Sequence, residues 1–182
     1  MNHISFKKFT SAHGSVWREL CALGLSESKL SGVQALHCSL PQITMPLALG
    51  FFILNDYGVG KMIGYRAGHI YIPRWVFTSG HFSLRDVIRH EYGHAMAYHC
   101  PEAMGGFEKI FGAKYGNENP KRDRDGFISD YAMKDTSEDF AETFMVFARR
   151  LGVEKGLRGA VLGKYRFVSK VVQRVVRSPK TK

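Results

Sequence analysis

The sequence predicts an α+β fold, and three observations carry that expectation. Apolar residues recur at helical spacing near the start of the chain and again in its second half. A run of short apolar segments broken by turn residues fills the middle. Hydrophobic residues make up 45% of 182 residues and aromatics 13%, enough to bury a real core within one domain of ordinary size.

The elements follow in order. Val16, Leu20 and Leu23 predict a short helix over Ser15 to Leu25, and a second is expected in Ser26 to Leu40, before Pro41. Leu47 to Leu54, Lys61 to Arg66 and His69 to Ile72 read as strands, with "NDYGVG" (Asn55 to Gly60) as the turn between the first two. Ser83, with Asp86 three positions later, opens a helix that runs to about His99 and stops before Pro101. A shorter helix is expected in Glu102 to Phe111, followed by a polar loop from Gly116 to Gly126. A strong helix then runs from Thr136 or Ser137 to Leu151, with Gly152 as its cap.

Charge is unevenly placed. Nine of the Lys and Arg residues and no acids fall between Lys155 and Lys182, so a net charge of +10 leaves +1 for the remainder. Residues 1–154 therefore read as a nearly neutral domain and 155–182 as a basic segment. In that segment Val168, Val171, Val172, Val175 and Val176 oppose Arg166, Lys170, Arg174 and Arg177 on an amphipathic helix. The helix could pack its valines on the domain, or dock on an acidic partner, a membrane surface or nucleic acid. Nucleic acid is disfavoured by the neutral body. Three unpaired cysteines argue against a disulfide framework. No secretion signal is visible at the N-terminus and no apolar run is long enough to span a bilayer. The expected location is cytoplasmic, or exported by a route that cleaves no signal.

The chemistry lies in "DVIRHEYGHAMAYH", Asp86 to His99. His90 and His94 are four apart, about 40° around a helix axis, so both imidazoles can converge on one ion. Glu91 is turned about 100° from His90, off the ion but within reach of water beside it. Two imidazoles and a carboxylate suit Zn2+ with a position left for water, and a neighbouring glutamate can act as general base on that metal-activated water. Three fixed positions in five match often by chance, so a third ligand must be found. A metzincin-type third histidine is missing, because Cys100 stands in its place and Ala97 where a glycine is needed. His99 faces away from His94, and His69 and His81 read as surface histidines. "FISDYAMKDTSEDFAETFMVF" (Phe127 to Phe147) offers a better partner. Glu138, in the first turn of its helix, is the candidate third ligand. Glu142, one turn later, could hydrogen-bond a ligand histidine's free N–H. Tyr131 could donate to the oxyanion formed during peptide hydrolysis.

His90-Glu91-Tyr92-Gly93-His94, then Tyr131-Ala132, then Glu138-Asp139-Phe140-Ala141-Glu142, resembles the gluzincin metallopeptidases. The likeness is strongest to the family described as "putative zinc-binding metallopeptidases" and to anthrax lethal factor-like catalytic domains. It covers roughly residues 64–151. It implies His90, His94 and Glu138 as zinc ligands, Glu91 as the base and Tyr131 as the oxyanion donor. It also implies a zincin-like fold: a small twisted, mostly antiparallel sheet packed on the active-site helix, with a mostly helical C-terminal part. By the same analogy Ala67 to Phe77 would offer a sheet edge to a peptide substrate. The expected function is a zinc-dependent metallopeptidase. The alternative is an inactive zincin-like binding module that docks an acidic partner through its basic C-terminal helix.

Overall fold

A computed structural model describes residues 3–25, 50–54, 64–66, 69–73, 80, 83–120 and 123–178, with side chains described at 7–25, 80, 83–98, 100–120 and 123–178. Five helices organise it: α1 (His3–Ala22), α2 (Leu84–His99), α3 (Phe107–Phe111), α4 (Thr136–Arg149) and α5 (Gly159–Arg177). Three short strands, β1 (Gly50–Leu54), β2 (Gly64–Arg66) and β3 (His69–Pro73), lie between α1 and α2 in the chain.

Each helix forms because its apolar residues share a face. On α1 these are Phe9, Ala12, Val16 and Leu20; on α2, Val87, Ile88, Tyr92, Ala95 and Met96; on α5, Tyr165, Val168, Val171, Val172 and Val175. All of them are buried in one core. Ser83 caps α2 by accepting from the Asp86 N–H, and Cys100 closes it by donating to the Met96 carbonyl. Asp135 caps α4 through the Ser137 and Glu138 N–H groups, at 2.9 and 3.0 Å. The chain leaves α4 through two residues in the left-handed region, Leu151 and Gly152.

The expected α+β class is corrected. Over the residues whose side chains are described, about 70% are helical and none lies in a strand. Among the residues whose side chains are described, the core is made by helices and the loops between them. The strands pair through their backbones in the order β1-β3-β2, with β1 parallel and β2 antiparallel to β3. Over the described residues the sheet is thus mixed, with one parallel and one antiparallel pair, not mostly antiparallel. Strand periodicity in the sequence marks local conformation; it does not say which elements share a core, and here the apolar stripes of the helices cover one another. A second correction follows from strand order. β3 is paired on both sides over His69–Tyr71, so that part of Ala67 to Phe77 offers no free edge. The first helix also begins earlier than expected, at His3, because Phe9 and Ala12 extend its apolar stripe through a polar-looking stretch. The helix expected in Ser26 to Leu40 and the turn at Asn55 to Gly60 fall outside the described residues.

Helix α2 is held from two sides. Arg89 is buried and makes two 2.7 Å bonds to Glu19 on α1, with a third bond of 2.6 Å to Asp86. On its other side α2 meets α4 at Gly93, where a Cβ would lie 2.9 Å from the Ala141 Cα. A glycine inside a helix costs about 1 kcal/mol, and here it permits backbone contact with α4. That contact sets His90 and His94 opposite Glu138 and Glu142. No described helix is long and apolar enough to cross a membrane.

Burial of His13 makes stability depend on pH. Its ring stacks among Phe9, Trp17 and Tyr92, and Nε2 lies 2.9 Å from the Tyr92 hydroxyl. Burial lowers its pKa from 6.5 to about 4. The unfolded chain therefore binds the extra proton between these values. Its contribution is intact above pH 6.5 and is lost as pH falls toward 4, by at most about 3 kcal/mol. His13→Gln is expected to flatten this part of the profile, measured as Tm of the metal-free protein from pH 7 to pH 4.5.

Candidate metal centre

The site forms where α2 and the first turns of α4 face each other. His90 and His94 project from α2, Glu138 and Glu142 from α4. His90 Nε2 and His94 Nε2 are 3.1 Å apart, and Glu138 Oε2 lies 3.0 Å from the first and 3.3 Å from the second. Among the described residues these three form a group able to hold a metal ion.

Their hydrogen bonds set up a site suited to a cation. His90 Nδ1 lies 2.8 Å from Glu142 Oε1. A carboxylate only accepts, so Nδ1 carries the proton and Nε2 turns its lone pair inward. That lone pair meets the Glu138 carboxylate, so two acceptors face each other in a buried space. A proton or a metal ion resolves this. Burial alone would lower the His90 pKa, but its bonds to Glu138 and Glu142 raise it to about 10. Burial alone would raise Glu138, and the two imidazoles instead hold it well below the usual carboxylate range. Zinc fits the same donors. Bonds of about 2.1 Å in tetrahedral array place ligand atoms about 3.4 Å apart, and the observed separations of 3.0–3.3 Å need little expansion.

The remaining predicted residues surround this cluster. Glu91 is buried, and its Oε2 has no hydrogen-bond partner among the described residues. Burial raises its pKa, with the two imidazoles pulling the other way. Glu142 accepts a second bond, at 2.6 Å, from the Ser129 hydroxyl. Burial would raise Glu142, but His90 and Ser129 outweigh it and lower its pKa. Tyr131 begins a 3-10 turn, Tyr131–Met133, and donates to Glu138 Oε1 at 3.2 Å with its side chain half exposed. Burial and the Glu138 charge raise its pKa, so it stays a donor at neutral pH.

Several residues escaped the sequence reading. Lys134 donates to Glu138 Oε1 at 3.1 Å, so Oε1 is occupied and Oε2 faces the imidazoles. Its spacing four before Glu138 was a legible signal. Ser129 sat inside the quoted segment without a distinguishing pattern. Tyr115, whose hydroxyl lies 2.9 Å from His94 Nδ1, comes from a loop and had no periodicity to reveal it. Cys100 is buried at the end of α2, with its thiol pushed up to about 11 by burial, and joins no ligand group among the described residues. The side chains of His69, His81 and His99 lie outside those described.

Two imidazoles and one carboxylate on facing helices define a candidate mononuclear metal centre. The model of a family described as "Putative zinc-binding metallo-peptidase" matches residues 77–155, which include all of these site residues. No curated protein and no solved structure matches the chain.

Proposed function

We propose that this protein is a zinc-dependent peptidase with the ligand set of the gluzincins: His90, His94 and Glu138. The observation that carries the reading is the convergence of three donor atoms from two helices at near-tetrahedral spacing. The family match to residues 77–155 supports zinc and peptide hydrolysis as its chemistry.

Zinc held there would supply Lewis acidity, polarising a peptide carbonyl and acidifying water. Glu91 takes the proton from the attacking water and later delivers it to the leaving amine. A buried carboxylate with a raised pKa suits both steps. Tyr131 leaves Glu138 Oε1 and donates to the oxygen that gains charge on the substrate carbonyl. Such a donor is worth about 3 kcal/mol in the transition state. Glu142 keeps His90 in the tautomer that presents Nε2. The basic face of α5 is a candidate docking surface for an acidic partner or membrane.

Metal analysis tests the centre first. The wild-type chain is expected to bind one zinc, and Glu138→Ala to lose it on dialysis against micromolar chelator, with helix content by circular dichroism unchanged. Equal zinc retention by Glu138→Ala would remove Glu138 from the ligand set. Peptide-library cleavage by the zinc-loaded wild type then tests the reaction.

A further inference from the structure

We propose that Tyr115 is a positioning residue for zinc binding, aiming His94 through its hydroxyl from a loop that is strapped to the helix carrying Glu138. The inference rests on the zinc reading above and adds a residue to it.

The two histidines are held in chemically different ways. On His90 the partner of Nδ1 is a carboxylate, which only accepts. On His94 it is the Tyr115 hydroxyl at 2.9 Å. A phenol can donate or accept, so it permits either tautomer. When His94 offers Nε2 to a metal, its Nδ1 carries the proton, and the phenol oxygen is the acceptor that holds the ring in plane. Without that acceptor, a partly exposed imidazole at the end of its side chain regains rotamer freedom.

The loop around Tyr115 is built to hold the hydroxyl there. Thr136, the first residue of α4, donates through Oγ1 to the Lys114 carbonyl at 2.7 Å and through N–H to the Asn117 carbonyl at 3.0 Å. Tyr115 is thus clamped on both sides to the helix turn that carries Glu138. Its ring meets Phe107 and Phe140 edge-on, with centroids 5.5 and 6.2 Å apart. One rigid unit therefore places the Glu138 carboxylate and the acceptor for His94, while α2 supplies both imidazoles.

The difference between the partners sets the size of the effect. A ligand's outer hydrogen-bond partner is worth about 10- to 100-fold in metal affinity. A neutral phenol raises imidazole basicity less than a carboxylate, so Tyr115→Phe belongs at the low end, about tenfold, and Glu142→Ala at the high end. Phenylalanine keeps the ring contacts, so the metal-free Tm should stay at the wild-type value.

The test is a zinc titration of the full chain against a chromophoric chelator, with Tyr115→Phe, Thr136→Val and the double variant. One zinc per chain in every case, about tenfold weaker in Tyr115→Phe and little weaker again in the double variant, supports the proposal, because Thr136 then acts through Tyr115. Wild-type affinity in Tyr115→Phe overturns it while leaving the zinc centre intact. Losses that simply add in the double variant also overturn it, since the strap and the hydroxyl would then act separately. A wild-type chain that binds no zinc overturns both readings. Should Tyr115→Phe fold poorly, Thr136→Val alone decides: weaker zinc at unchanged metal-free Tm supports, unchanged affinity overturns.

Discussion

Glu91→Gln is expected to abolish peptide cleavage while leaving zinc content and fold intact. Proton transfer by a positioned carboxylate contributes about 10²- to 10⁴-fold, so kcat should fall within that range with the metal still bound. Stability should hold or rise. The Glu91 carboxylate is buried without a hydrogen-bond partner for Oε2 among the described residues. Burial raises its pKa, so the ionised form costs folding free energy at neutral pH, and a neutral amide of the same shape relieves that cost. Loss of activity with an unchanged or higher Tm would mark a residue kept for chemistry. Wild-type turnover in Glu91→Gln would move the base elsewhere, whereas a zinc-loaded wild type that cleaves no peptide would leave a metal-binding module as the better account.

Lys164→Met is expected to be the most destabilising single change in the basic segment. Lys164 Nζ lies 2.6 Å from Asp139 Oδ2 and donates to the Gly126 carbonyl at 2.7 Å, and both side chains of the pair are buried. Removing one partner of a buried ion pair leaves the other uncompensated, at a cost of about 3–5 kcal/mol. For a chain of this length that is a Tm loss of about 6–20 °C. Burial already pushes Asp139 up to about 6, against the pull of Lys164. Without the lysine it rises further, so the unpaired carboxylate takes up a proton more readily. The defect should therefore be largest near pH 8 and shrink toward pH 5, as read from urea unfolding. The double variant Asp139→Leu, Lys164→Met should recover most of the loss, because hydrophobic replacement of a buried pair is often neutral. A small, pH-independent defect in Lys164→Met would show that the pair contributes little.

Asp139 is the neighbour of Glu138, so this ion pair joins α5 to the turn that carries a candidate metal ligand. The sequence presents Lys164 as one more charge in a basic segment. Only packing turns it inward, because an ammonium on a long stem can reach a buried carboxylate that no spacing rule connects to it. The valines of α5 are different. Their helical spacing was plain, and the structure seats Val168, Val171, Val172 and Val175 in the core, with α5 packed mainly on α4.

What the amino-acid order determined by itself was local. Helical spacing placed His90 and His94 on one face with Glu91 to the side, and Glu138 and Glu142 on one face of a later helix, because a helix converts sequence separation directly into angle. Ser83 and the residues around Thr136 marked where those helices begin. The long-range facts were decided by tertiary structure. The contact of Gly93 with Ala141, the approach of Tyr115 to His94 and the pairing of Lys164 with Asp139 depend on which apolar stripes cover one another. The fold class did too, since among the described residues the strands pair in a mixed sheet while the helices supply the buried side chains. Periodicity is a property of single elements, whereas the metal centre and the core arise from the pairing of elements, which burial free energy selects over the whole chain.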